Sequence, residues 1–433
     1  MRLIRTLLAK PETRYIVVRY ASTGLMALEA LVFARLLGPA DYGAYALVQQ
    51  IALLLSLAAL GHPAGFLYSH FRQRDSRVED YYAPCALVQY SGGAAVAAII
   101  GVWRPAFLFA AIYYAIQIPQ LILEPMLRVR GRYALSGLGR GAGSTGALLL
   151  VGAFSIAGAA PRSASAAIPI LLAGAAAGYG ACYCLIAARD GWPLAPGVVL
   201  ATIRDRETWR RFRRDILRPG VPLNTSSALL LLQNSLPRFF LERFHAQPAL
   251  GVFSLAWQLS QGAMVMLSSL NAVSSVEIGK QMESGSPASV SAGLRRQFLR
   301  AARAGLAAFA ILLAAAFALG ATVYRDYPEL VPVTAMLNLG YLALNITGSV
   351  TAYLFYERRS SILNAGYLIA VVSSSAACWA IGTARLWHGY QAGAVSLILI
   401  AVNLAFLLII RRLAARAASP PATANAAVET VAA

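Results

Sequence analysis

The sequence predicts an all-α membrane protein of about twelve transmembrane helices, and three observations carry that prediction. Hydrophobic residues make up 58% of the 433 and charged residues only 13%, where soluble domains carry roughly a quarter charged. The apolar residues come in blocks of about twenty, the length a helix needs to cross a bilayer. The basic residues are segregated to one side of those blocks, as in polytopic proteins. Backbone groups in hydrocarbon must be satisfied within their own segment, and the alternating ten-residue segments of a β-barrel are missing.

The elements follow in order. A basic start (Arg2, Arg5, Lys10, Arg14) leads into the first span, 16–37, and reads as a retained signal anchor. Gly38-Pro39 ends that span, and Asp41 is placed to cap the second, 42–64. The third and fourth spans are 81–102 and 105–127. The fifth, 142–160, follows a run of Gly137, Gly139, Gly141 and Gly143 that blurs its start; the sixth is 166–187. These form an N-terminal six-helix lobe, 1–187. A basic cytoplasmic linker, 188–218, carries Trp209, Phe212 and Ile216 at helical spacing among arginines. It reads as an interfacial helix on the inner leaflet, held by apolar burial and by anionic membrane lipid. A C-terminal lobe, 219–412, holds spans 219–241, 249–273, 301–323, 329–354, 361–383 and 390–410. The tail, 413–433, is rich in Ala, Pro and Thr from Ala417 onward and is expected to be disordered.

A net charge of +19 would suggest nucleic acid in a soluble protein. Here its distribution points to topology instead, and no nucleic-acid partner is expected. With the N-terminus inside, the outward segments receive only Arg35, Arg104, Arg162, Arg238, Arg243, Arg325 and Arg385, leaving 30 of the 37 Lys and Arg on the other side. That bias implies cytoplasmic N- and C-termini in a bacterial inner membrane. Reporters fused after Arg77, Arg206, Lys280 and Arg358 are therefore expected to report cytoplasm, and those after Asp41, Arg162 and Asp326 the outside. Two inverted reporters would overturn the twelve-span reading. The four cysteines fall inside spans, and Cys182 and Cys184 lie on different helix faces, so neither a disulfide nor a zinc site is expected.

Residues 2–50 align without gaps on residues 210–258, an offset of 208. Arg2/Arg210, Arg5/Arg213, Pro11/Pro219, Leu28/Leu236, Arg35/Arg243, Gly43/Gly251, Leu47/Leu255 and Gln50/Gln258 are identical. Six spans precede the repeat, so both halves enter the membrane from the same side. This is a parallel repeat, of the kind whose halves flank a substrate path in transporters.

The stretch Ala34-Arg35-Leu36-Leu37-Gly38-Pro39-Ala40-Asp41-Tyr42-Gly43-Ala44-Tyr45 resembles the first-loop signature of bacterial polysaccharide exporters. These are the O-antigen and capsule lipid-linked oligosaccharide flippases of the multidrug/oligosaccharidyl-lipid/polysaccharide flippase superfamily. Gly251-Val252-Phe253-Ser254-Leu255-Ala256, the basic run before Pro219, and the link Arg128, Arg130, Arg132 are similar to the same family. The resemblance implies a two-lobed, V-shaped protein that alternates between inward- and outward-open states. Its implied cargo is a polyprenyl-pyrophosphate-linked glycan, with a glycan polymerase or other export-complex proteins as further implied partners. Family members carry an Asp-Arg pair near the end of span seven; here Pro237 precedes Arg238.

Polar residues inside spans nominate a substrate path. Glu29 sits mid-span, where a carboxylate costs on the order of 2.5–3.5 kcal/mol. It is either a proton- or cation-binding site facing the cavity or an acid kept for packing. Span four carries Tyr113, Gln117, Gln120 and Glu124 as one stripe, loosened at Pro119. The glutamines suit either sugar hydroxyls or interhelical packing, and Glu124 can pair with Arg128 one turn later. Further candidates are Asn234 and Arg238 in span seven, Gln258 and Gln261 in span eight, and Asn338, Tyr341 and Asn345 in span ten. Arg238 is the best cation for a pyrophosphate, unless it snorkels outward.

The reading is a transporter and not an enzyme. His62, His70, His245 and His388 are scattered without acidic neighbours at useful spacing, and no metal-ligand cluster, Gly-rich phosphate loop or nucleotide motif is present in the sequence. No catalytic residue, metal or cofactor is expected. A drug/cation antiporter of the same superfamily, or an integral-membrane glycan polymerase or acyltransferase, are the alternatives.

Overall fold

The computed structural model describes residues 11–59, 81–103, 107–129, 132–190, 200, 201, 204–244, 246–284, 287–356, 359–386 and 389–418. The expected lead-in before Pro11, the last residues of span two and the tail beyond Ala418 lie outside them. The described residues form thirteen α-helices. In the N-terminal lobe these are α1 (Pro11–Leu55), α2 (Tyr82–Trp103), α3 (Leu108–Val129), α4 (Tyr133–Ile156) and α5 (Ala164–Asp190). A short α6 (Arg206–Arg211) and a π-helical turn (Phe212–Leu217) lead into α7 (Arg218–Arg243). The C-terminal lobe continues with α8 (Gln247–Ser284), α9 (Pro287–Thr322), α10 (Leu330–Ile346), α11 (Gly348–Tyr356), α12 (Ser360–Thr383) and α13 (Tyr390–Ala418).

The first two spans are the limbs of α1, joined at Gly38, whose φ of 70° is open to glycine at little cost. Pro39 follows, pre-set for a first helical turn. Asp41, expected to cap span two, instead accepts the Ala164 N–H at 2.9 Å. Span two already starts at the bend, whereas the first N–H groups of α5 have no partner within their own helix. Span five begins at Tyr133, well before the expected start, because its glycines are packed helix and not loop. A Cβ on Gly178 would collide with the Ala142 carbonyl, and one on Gly146 with the Gly174 carbonyl. The α4 and α5 backbones therefore touch through small residues. Gly178→Ala is expected to cost about 1–3 kcal/mol by overpacking and to lower the melting temperature in detergent; an unchanged value would contradict this contact.

Three other expectations are corrected. Span ten is two helices broken at Thr347, whose hydroxyl donates to Asn403 Oδ1 at 2.6 Å. The apolar face assigned to the inner leaflet is covered by protein at Phe212 and Ile216, with Phe212 6.1 Å from the Tyr81 ring. Asp205 caps α6; its carboxyl is held below the usual range by the Thr208 hydroxyl and the Glu207 N–H. Finally, α13 runs to Ala418, so the start of the expected tail is helical.

The lobes meet where the second limb of α1 crosses α8. A Cβ on Gly43 would lie 2.8 Å from the Gln247 carbonyl, and one on Gly251 would collide with that of Pro39. These two glycines are counterparts in the 208-residue repeat, so the crossing lies close to the axis relating the halves.

Candidate functional site

Below that crossing, the two lobes enclose a cavity of about 330 Å³. Glu29, Gln117, Gln120 and Glu124 line it from the N-terminal lobe, and Arg238, Gln258 and Gln261 from the C-terminal lobe. Seven of the eleven residues nominated from sequence thus share one space. Asn338, Tyr341 and Asn345 do not; they belong to the packing of α8 against α10. Asn338 Nδ2 donates to Ser260 Oγ at 3.0 Å, and Asn345 accepts from Asn271 through its main-chain carbonyl at 2.9 Å. Asn234 is buried and also lies off the cavity wall. Polar spacing marks a polar face, but interhelical amide bonds produce the same pattern.

Glu29 is not unpaired. Its Oε1 accepts from the Tyr45 hydroxyl at 2.5 Å and from Gln49 Nε2 at 2.7 Å, both on the other limb of α1. The bend at Gly38 folds these two residues, four apart on one helix face, back onto the acid. Tyr45 is fixed in turn by stacking on Phe33, with centroids 4.5 Å apart. Buried hydrogen bonds to an acid offset its cost of leaving water, and Glu29 still borders the cavity.

Arg238 stands on the opposite wall. It is 2% exposed, which excludes outward snorkelling. Its guanidinium lies 4.3 Å from the centre of the Trp257 ring and 5.5 Å from that of Phe253, within cation–π range. Nη1 donates to Gln50 Oε1, and Gln50 Nε2 donates to Ser235 Oγ at 2.5 Å, tying the second limb of α1 to α7. Among the described residues no carboxylate pairs with Arg238. Under the repeat, Glu29 corresponds to Pro237, next to Arg238. The repeat thus sets an acid in one half beside the position of an arginine in the other.

Several polar atoms of residues around the cavity are buried without a hydrogen-bond partner. They include Gln120 Nε2, Arg238 Nε and Ser254 Oγ. The cavity lining puts the Arg238 guanidinium and the Gln117, Gln258 and Gln261 amides together with the carboxylates of Glu29 and Glu124. Gln120 is seated against Gly139, where any Cβ would overlap its amide, and the carbonyl of Ala115, which Pro119 cannot bond, accepts from the Tyr90 hydroxyl at 3.3 Å. Gln49, Gln50, Ser144, Tyr179, Ser254 and Trp257 also line the site without having been nominated. The Gln50/Gln258 repeat pair was the one signal available for them, since both amides line the cavity. Among the described residues no group of three or more His, Cys, Asp or Glu side chains could hold a metal ion.

At the Gly38 end the cavity is closed over. The segment between α9 and α10 lays Tyr324 and Tyr327 on the first limb of α1, their hydroxyls donating to the Leu31 and Ala34 carbonyls at 2.8 Å each. Arg35 and Asp326 add an exposed pair at 3.8 Å, of little energetic weight.

No family model and no curated protein sequence matches this chain. Solved structures do. An inward-facing multidrug resistance MATE family transporter of the MOP superfamily is similar at a TM-score of 0.69 and 16% identity, covering 93% of this chain and 98% of that one. An outward-facing structure described in the same terms gives 0.60 and 14%, covering 94% and 96%. A MOP superfamily transporter from Pyrococcus furiosus, described as having a binding pocket of reverse polarity, gives 0.59 and 13%, covering 95% and 97%. At such identities the likeness speaks for fold. This chain is a multi-pass helical membrane protein with the two-lobed, twelve-span fold of the MATE transporters.

Proposed function

We propose that this protein is an alternating-access transporter that carries a polyprenyl-pyrophosphate-linked oligosaccharide across the bacterial inner membrane. The observation that supports the reading is the lining of the cavity: the buried Arg238 guanidinium, with no carboxylate partner among the described residues, shares it with the Gln49, Gln117, Gln258 and Gln261 amides. A pyrophosphate and a row of sugar hydroxyls supply acceptors, and a guanidinium binds phosphate oxygens bidentately. A cationic drug would meet Arg238 as a like charge. Closure at the Gly38 end, with both termini cytoplasmic, makes this the inward-open state, and Glu29 is the proton- or cation-coupling group. The lipid-linked glycan, and with it any polymerase of an export complex, are the partners of this reading.

A drug/cation antiporter is the second reading. Structures sharing the fold are described as multidrug resistance transporters, and Glu29 and Glu124 give the cavity two acidic groups against the one arginine. Deleting the gene separates the two. The expected result is lipid-linked glycan accumulating on the inner leaflet, with its synthesis intact and tolerance of cationic dyes unchanged. Dye sensitivity with normal glycan export would select the antiporter, and a block in glycan synthesis would select an enzyme.

A further inference from the structure

The exposed arginines of this protein are not equivalent. Three of those in the linker are answered within the linker. Glu207 takes Arg210 at 3.0 Å and Arg211 at 3.2 Å, and Asp215 takes Arg214 at 2.7 Å. The aromatic face beside them is covered at Phe212 and Ile216. Helix α9 differs on both counts. Arg295, Arg296, Arg300 and Arg303 fall in its first half, and none of its 36 residues is acidic. All four arginines are exposed, and none of them takes part in an ion pair among the described residues.

Their position along the helix decides what they meet. From Ala304 to Thr322 α9 carries no charge, a rise of about 28 Å against about 30 Å of hydrocarbon in a bilayer. Arg296, Arg300 and Arg303 occupy about 10 Å of helix just outside that stretch, in the layer of the headgroups. Spacings of four and three set them on one face, with Arg295 at its edge. The same face continues along the helix in Leu306, Ile311 and Phe317, all exposed, and exposed Leu299 sits among the arginines. The surface that meets acyl chains thus runs straight into the surface that bears the charge. A bilayer covering the apolar part brings its own phosphates to the basic part.

We infer that the row Arg296, Arg300 and Arg303 on α9 is a binding site for anionic phospholipid headgroups, those of the inner leaflet in the topology proposed above. Each guanidinium offers a planar fork to phosphate oxygens, and Leu299 lies against the start of the acyl chains. A zwitterionic phospholipid has the same phosphate but cancels it with its own cation, so the attraction is for headgroups of net negative charge. The site anchors the C-terminal lobe at a fixed depth, and it does not depend on which cargo the central cavity carries.

The test is equilibrium binding of fluorescent phosphatidylglycerol and phosphatidylcholine to the full-length protein in a neutral detergent. The wild-type protein is expected to prefer phosphatidylglycerol at least tenfold. The triple variant Arg296→Gln, Arg300→Gln, Arg303→Gln should bring the two lipids within twofold of each other. The corresponding lysine variant should keep most of the preference, because it keeps the charge. A photoactivatable phosphatidylglycerol should label wild-type peptides containing Arg296 to Arg303, and glycerol phosphate, which has the anion without the chains, should not compete. No preference in the wild-type protein, or a preference unchanged in the glutamine variant, overturns the site. Equal loss from Arg204→Gln, Arg206→Gln, Arg213→Gln in the linker does so too, since the effect would then be overall charge. Loss in the lysine variant would mean damaged structure and overturns it as well. Competition by glycerol phosphate would make this a free-phosphate site, and displacement by stoichiometric polyglutamate a surface for an acidic protein; either result contradicts the inference.

Discussion

Arg238→Gln is expected to weaken cargo binding by about 30-fold to more than 1,000-fold, the range for removing one partner of a buried, hydrogen-bonded charge pair, about 2–5 kcal/mol. The side chain is buried, lines the cavity and carries no carboxylate partner among the described residues. The amide introduced by this substitution would still reach toward Gln50, so the tie between lobes is partly preserved and the protein should elute as a single species. Arg238→Lys separates charge from shape. It keeps the positive charge but loses the planar fork and most of the stacking on Trp257, and it should recover only part of the affinity. The measurement is equilibrium binding of fluorescent lipid-linked oligosaccharide in detergent. Wild-type affinity in Arg238→Gln would make the residue a packing group.

Glu29→Gln is expected to abolish coupling without abolishing the fold. The new amide oxygen can still accept from Tyr45 and Gln49, which hold the acid at 2.5 and 2.7 Å, but the group can no longer take up and release a proton. A one-unit pH gradient stores about 1.4 kcal/mol per proton, which supports about tenfold accumulation of cargo for each proton coupled. Vesicles with Glu29→Gln should show none of that accumulation, while unforced equilibration continues. Glu29→Asp keeps the ionisable group and should retain part. Gradient-driven accumulation at the normal level in Glu29→Gln would move the coupling site to Glu124 or out of this protein.

Much of this arrangement is legible in the residues. Apolar block length and arginine placement mark the spans, and a weak repeat of eight identities marks the halves. The repeat also proved more informative than its strength suggested: Gly43 and Gly251 are the crossing itself, and Gln50 and Gln258 both line the cavity. Glu29, Gln120 and Arg238 stood out because a polar group in hydrocarbon must be satisfied or used. What sequence could not separate was use from satisfaction. Asn338 and Asn345 recur at helical spacing just as Gln117 and Gln120 do, yet they bond neighbouring helices. The difference lies in which way each helix is rotated, and that is set by small-residue contacts such as Gly146 on Gly174 and Gly178 on Ala142. For the same reason the glycine run before span five blurred where that span starts. Asp41 was assigned to the nearest helix in sequence, whereas the N-terminus it caps is 123 residues away.

The central claim is that the cavity between the lobes, with Arg238 and its glutamine amides, carries an anionic glycan lipid. It is tested most directly in vesicles holding this protein alone, loaded in one leaflet with a polyprenyl-pyrophosphate oligosaccharide and supplied in parallel with a cationic dye. The account predicts that the glycan lipid crosses to the other leaflet, that Arg238→Gln stops it, and that the dye is not moved. Dye transport that survives in Arg238→Gln, with the glycan lipid left where it was placed, would contradict it.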